Sequence, residues 1–170
     1  MTNSATPRVI LIGPPASGKT KIGRLVAKKL DEPFLDTDTV LSARYGPIPE
    51  IFRDQGEPWF RGREAEVVAE SLTAPGVLSL GGGAVTTPST REALVGHPVV
   101  GLHISAEAVA SRLDNNKRPL LVDGVAGWTA LVEARQPWYD EVAVHTVDVS
   151  HRPNDEVADE IVAWLEDADV

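Results

Sequence analysis

The chain has 170 residues, 42% of them hydrophobic, which suits one compact domain with a buried core and leaves little room for a second. Its 16 basic and 25 acidic side chains give a formal charge of −9, which argues against nucleic-acid and anionic-membrane partners, since both need a basic footprint. The absence of cysteine excludes disulfides, thiolate metal sites and thiol catalysis, and agrees with a reducing, cytoplasmic setting.

The opening residues MTNSATPR are polar and carry no apolar signal core, and Val9–Ile12 is far too short to span a bilayer. That run reads as a buried parallel strand. It leads into Gly13-Pro14-Pro15-Ala16-Ser17-Gly18-Lys19-Thr20, which fits G-x-x-x-x-G-K-[ST]. A helix follows, with Ile22, Leu25, Val26 and Leu30 on one face. Strand before and helix after is the context this loop needs. Its glycines let the backbone wrap a polyphosphate with N–H groups inward, and the helix N-terminus adds positive potential. Lys19 reaches β- and γ-phosphates, and the Thr20 hydroxyl is placed for Mg²⁺. No D-x-x-G occurs, and Asn116-Lys117 runs into Arg118-Pro119, so a guanine-reading switch protein is disfavoured. The size suits a metabolite or nucleotide kinase.

The second strand, Pro33–Leu35, ends in Phe34-Leu35-Asp36-Thr37-Asp38. Acids at i and i+2 in extended backbone project from one side, at the sheet edge where ligands bind in such folds. One can hold Mg²⁺ through water while the other takes a hydroxyl proton; alternatively, Asp38 caps the next helix. Residues 38–75 then carry two or three helical pieces and no strand, a helical insert on the strand ends. A third strand, Val77–Leu80, precedes Gly81-Gly82-Gly83, which permits either close backbone approach to a ligand or a plain turn. The fourth strand is Val99–His103. Residues 114–127, rich in Asn, Asp and Gly and bounded by helices, read as a lid. A fifth strand, Val144–Val147, and a helix with Val157, Ile161, Trp164 and Leu165 on one face complete the chain. Strands alternating with helices predict a three-layer α/β fold around a parallel sheet.

Five arginines stand out in so acidic a chain, because guanidinium groups bind carboxylate and phosphate bidentately. Arg61 lies in the helical insert, Arg112 and Arg118 flank or occupy the lid, Arg135 follows it, and Arg152 precedes the last helix. The histidines show no metal-ligand spacing. Trp59, Trp128, Trp138 and Trp164 are expected to pack the core or the lid hinge.

GPPASGKT, FLDTDTVL, Phe60-Arg61, LSLGGGAV, KRPLL and RQPWY, in this order, resemble the shikimate kinases over about Val9 to Arg152. The resemblance implies a P-loop kinase of the nucleoside-monophosphate-kinase type, one domain over 1–170 with sheet order 2-3-1-4-5. It implies phosphorylation of the shikimate 3-hydroxyl by ATP with Mg²⁺, in aromatic amino-acid synthesis, by a monomer. Asp38, Lys19 and Arg118 are the implied catalytic residues. Gly13, Ala16, Ser17, Gly18, Lys19, Thr20, Lys21, Arg112, Arg118 and Arg152 would contact the nucleotide. Asp38, Arg61, Gly81, Gly82, Gly83 and Arg135 would contact shikimate, the two arginines clamping its carboxylate. Thr20 and Asp36 would serve the metal. There are departures: the lid is one residue shorter than in some relatives, and Arg152 matches the adenine-contacting arginine loosely. Ala16 stands where many members have glycine, which argues for a negative φ there. A kinase of gluconate or a nucleoside monophosphate, or a non-catalytic ATP-binding module, are the competing readings.

Overall fold

The computed structural model describes residues 6–116 and 124–168. Its elements run β1 (Val9–Ile12), α1 (Lys19–Leu30), β2 (Phe34–Asp36), α2 (Thr37–Tyr45), α3 (Ile48–Gln55), α4 (Glu57–Ser71) and β3 (Val77–Ser79). A 3₁₀ turn at Ala84–Thr86 leads to α5 (Pro88–Leu94), β4 (Val99–His103), α6 (Ala106–Asn116), α7 (Gly124–Val142), β5 (His145–Asp148) and α8 (Asn154–Ala168). The sheet order is β2-β3-β1-β4-β5 with every pair parallel, as the resemblance implies.

β1 sits at the centre because its four residues are apolar on both faces. Val9 and Leu11 point into a core with Ile22 and Val26 of α1 and Ile161 of α8. Ile10 and Ile12 point the other way, to Val68 of α4, Leu94 of α5 and Tyr139 of α7. All four strand residues are at most 1% exposed, so each contributes about 1.5–3 kcal/mol of burial. Parallel strands must return by crossovers, and all their carboxyl ends therefore open on one edge. The chain after β2 builds there: α2, α3 and α4 pack on one another through Leu41, Ile51, Phe60 and Val67, a third small core. Three helices thus occupy the predicted helical insert.

The junction of β2 and α2 differs from the extended reading of Asp36 to Asp38. The strand ends at Asp36, whose carboxylate accepts from the Asp38 amide at 2.8 Å. Asp36, not Asp38, is the N-cap, and it leaves the Asp38 carboxyl unused in capping in the first turn of α2. Of the expected lid, residues 117–123, with Arg118, lie outside the described residues. Among the described residues no helix is long and apolar enough to cross a membrane.

Candidate active site

A cleft of about 520 Å³ opens at the carboxyl edge of the sheet. On one side stands the loop between β1 and α1. Gly18 reaches φ +86° as it opens the helix. The carbonyls of residues 13–16 are all held. Lys19 Nζ donates to Gly13 O (2.8 Å) and Pro14 O (3.0 Å), and the fully buried Ser17 hydroxyl also donates to Pro14 O (2.8 Å). The indole Nε1–H of Trp128 donates to Pro15 O (2.8 Å), and the Arg112 guanidinium to Ala16 O (2.6 Å).

Ala16 corrects one expectation. Its φ is +70°, in the left-handed region, where a Cβ costs about 1–2 kcal/mol. A side chain was expected to force a negative φ. Instead, hydrogen bonds to the carbonyls on both sides of its Cα hold the strained conformation.

Next to the loop, the Thr20 hydroxyl donates to Asp36 at 2.7 Å. Asp36 pairs across the sheet with Ser79, whose hydroxyl is buried without a hydrogen-bond partner. A hydroxyl, a carboxylate and an orphaned hydroxyl form a hard-oxygen set suited to Mg²⁺, which keeps few protein ligands and shares phosphate oxygens and water.

Asp38 lies deeper. Burial, then the neighbouring Asp36 charge, pushes its carboxyl above the ordinary range, while Lys19 and Arg61 pull it back. Arg61, at the start of α4, bonds Glu64 at 2.8 Å and Glu57 at 3.1 Å and lies over the rings of Phe52 and Phe60. Glu64 is 1% exposed, and burial raises its carboxyl despite the Arg61 and Arg135 charges. The glycine triplet is shaped by this cluster. A Cβ on Gly81 would meet Asp38 at 2.6 Å, and one on Gly83 would overlap the Arg61 guanidinium. The triplet forms a turn at Gly82-Gly83, and what approaches its backbone closely is the protein's own Asp38 and Arg61. From α7, Arg135 reaches the cleft, and the buried Tyr139 hydroxyl donates to Gly82 O at 2.6 Å.

The cleft brings together Ala16, Gly18, Lys19, Thr20, Lys21, Asp36, Asp38, Arg61, Gly81, Gly82, Gly83 and Arg135. Gly13 and Ser17 shape the loop from behind, and Arg112 holds it from α6. Arg152 is not among the lining residues; its guanidinium binds Glu156, Glu160 and Asp148 O. Sequence reasoning missed Glu64, Tyr139 and the Trp128 contact, and also Arg24, which lines the cleft beside Phe34. Glu64 had one visible signal, its i+3 spacing from Arg61 on a helix.

Comparison with known proteins points to one family. A model described as shikimate kinase matches residues 15–166. The shikimate kinase of Mycobacterium avium is 49% identical over 164 residues, covering 94% of this chain and 93% of its own. That of Corynebacterium efficiens is 42% identical, over 96% and 99%. The solved structure of a shikimate kinase from Acinetobacter baumannii in complex with shikimate superposes with a TM-score of 0.86 at 35% identity, over 96% of this chain and 94% of its own.

Proposed function

The chain belongs to the shikimate kinase family, and we propose that the cleft at its sheet edge holds ATP and shikimate together for transfer of the γ-phosphoryl group to the shikimate 3-hydroxyl. It is a kinase that phosphorylates shikimate. One observation carries the assignment of residues: the phosphate loop, Asp38, Arg61 and Arg135 all face a single cleft.

Phosphoryl transfer has a loose transition state, so catalysis rests on positioning and charge. The loop amides and Lys19 take the triphosphate. The Lys19 ammonium already sits on the loop's own carbonyls and lines the cleft. Thr20 and Asp36 would hold Mg²⁺, which when bound neutralises charge on those oxygens. Asp38 receives the acceptor hydroxyl. Its raised pKa makes it a better proton acceptor than an ordinary aspartate, and in the first turn of α2 the helix dipole favours its charged form. Arg61, oriented by Glu64, and Arg135, beside Tyr139, clamp the shikimate carboxylate and so aim the 3-hydroxyl at the phosphate. The Arg118 role, a cation closing on the phosphates, rests on its KRPLL motif.

ADP release measured with shikimate, gluconate and AMP offered in parallel tests this reading. Turnover with shikimate alone is expected. Comparable turnover with either of the others overturns the acceptor assignment.

A further inference from the structure

We infer that Trp128, which lies outside the chemistry, is a positioning residue that holds the phosphate-binding loop in its binding shape by fixing the carbonyl of Pro15. The inference rests on the nucleotide reading of that loop.

Of the four carbonyls in residues 13–16, the first two are held by side chains of the loop and of the helix it opens, Ser17 and Lys19. The other two are held from far along the chain. Trp128 is 113 residues from Pro15, and Arg112 is 96 residues from Ala16. These two bonds bracket the residue whose backbone least favours its observed state, Ala16 at φ +70°. Fixing the peptide plane before Ala16 and the one after it leaves its dihedrals little freedom. Without the Pro15 clamp, the alanine relaxes toward negative φ and turns the neighbouring peptide, so that loop amides no longer aim at phosphate.

Trp128 suits the task. It is 3% exposed, packs in the same core as Ala16, and has one donor, which must find an acceptor when buried. A glycine at position 16 would take the left-handed state without strain and would not need the clamp. The two residues are therefore energetically coupled.

The test is a double-mutant cycle read by ADP titration calorimetry and steady-state kinetics, with wild type, W128F, A16G and the double variant. W128F is expected to weaken ADP binding about 5- to 10-fold and raise the KM for ATP alike, with the KM for shikimate within twofold. In the A16G background the same substitution is expected to cost less than twofold. Equal losses in both backgrounds overturn the inference, as does a parallel rise in the shikimate KM. Should W128F fail to fold, the Trp128 indole N–H of the wild-type protein still decides. Slow solvent exchange and a resonance shift on adding ADP support the clamp; exchange as fast as an exposed indole, or no shift, overturns it. Failure of the wild-type protein to bind ADP overturns the nucleotide reading itself, and this inference with it.

Discussion

Tyr139→Phe isolates one hydrogen bond in the acceptor half of the cleft. The hydroxyl donates to Gly82 O at 2.6 Å, which ties α7, the helix carrying Arg135, to the glycine triplet. Burial pushes the phenol pKa up, and the Arg135 charge pulls it back. Phenylalanine keeps the ring in its core with Ile12 and Val85 and removes only the oxygen. Losing a neutral hydrogen bond costs about 0.5–1.5 kcal/mol, and leaving the partly buried Gly82 carbonyl without its donor brings the sum to about 1.5 kcal/mol. At about 1.4 kcal/mol per decade, kcat/KM for shikimate should fall about tenfold. The loss should appear with shikimate varied at saturating ATP, and the KM for ATP should stay within twofold. A kcat/KM within twofold of wild type, or an ATP KM rising in step, would refute the idea that Tyr139 positions the acceptor site.

Asp38→Asn should cut kcat by about 10²–10⁴ while ADP binding persists, and near-normal turnover would remove Asp38 from the mechanism. Because its folded pKa is raised, the folded state binds that proton more tightly than the unfolded chain, so ionisation weakens the fold as pH rises above the ordinary aspartate value. The variant's melting midpoint at neutral pH should therefore be no lower than wild type, and the acid limb of kcat/KM in the wild-type enzyme should lie above the ordinary carboxylate range. Arg135→Ala should raise the KM for shikimate by one to two orders, at about 1.5–3 kcal/mol per charged hydrogen bond, with ATP affinity intact by calorimetry; equal loss of both would contradict the clamp. Gly83→Ala places a Cβ against the Arg61 guanidinium and should raise the shikimate KM about tenfold with an unchanged circular dichroism spectrum, so an unaffected KM would sink the packing argument.

The features legible in the sequence are those written in local patterns. Four apolar residues before G-x-x-x-x-G-K-T sufficed to place β1 and the loop, and alternation with helical spacing sufficed for the layers. Strand ends slipped by one residue, as at β5, which runs His145–Asp148 and not Val144–Val147, because hydrogen-bonded register is set by the neighbouring strand. The N-cap went to Asp36 because the chain turns into the helix two residues earlier than a cap at Asp38 would have it. Glu64 was hidden for a different reason. One acid among several in a charged helix becomes a site residue only when α4 lays that side against the strand ends. The sign of φ at Ala16 depends on donors about a hundred residues away, which no local pattern encodes.

The small core that α2, α3 and α4 keep to themselves separates two tasks in the molecule. On the proposed reading, the sheet and the loop after its central strand grip a triphosphate, while choosing which alcohol receives its end falls to three helices attached at one corner, joined by the glycine triplet and a single arginine from α7. Acceptor preference in such an architecture can be rewritten on a few helical faces while the strands beneath stay as they are.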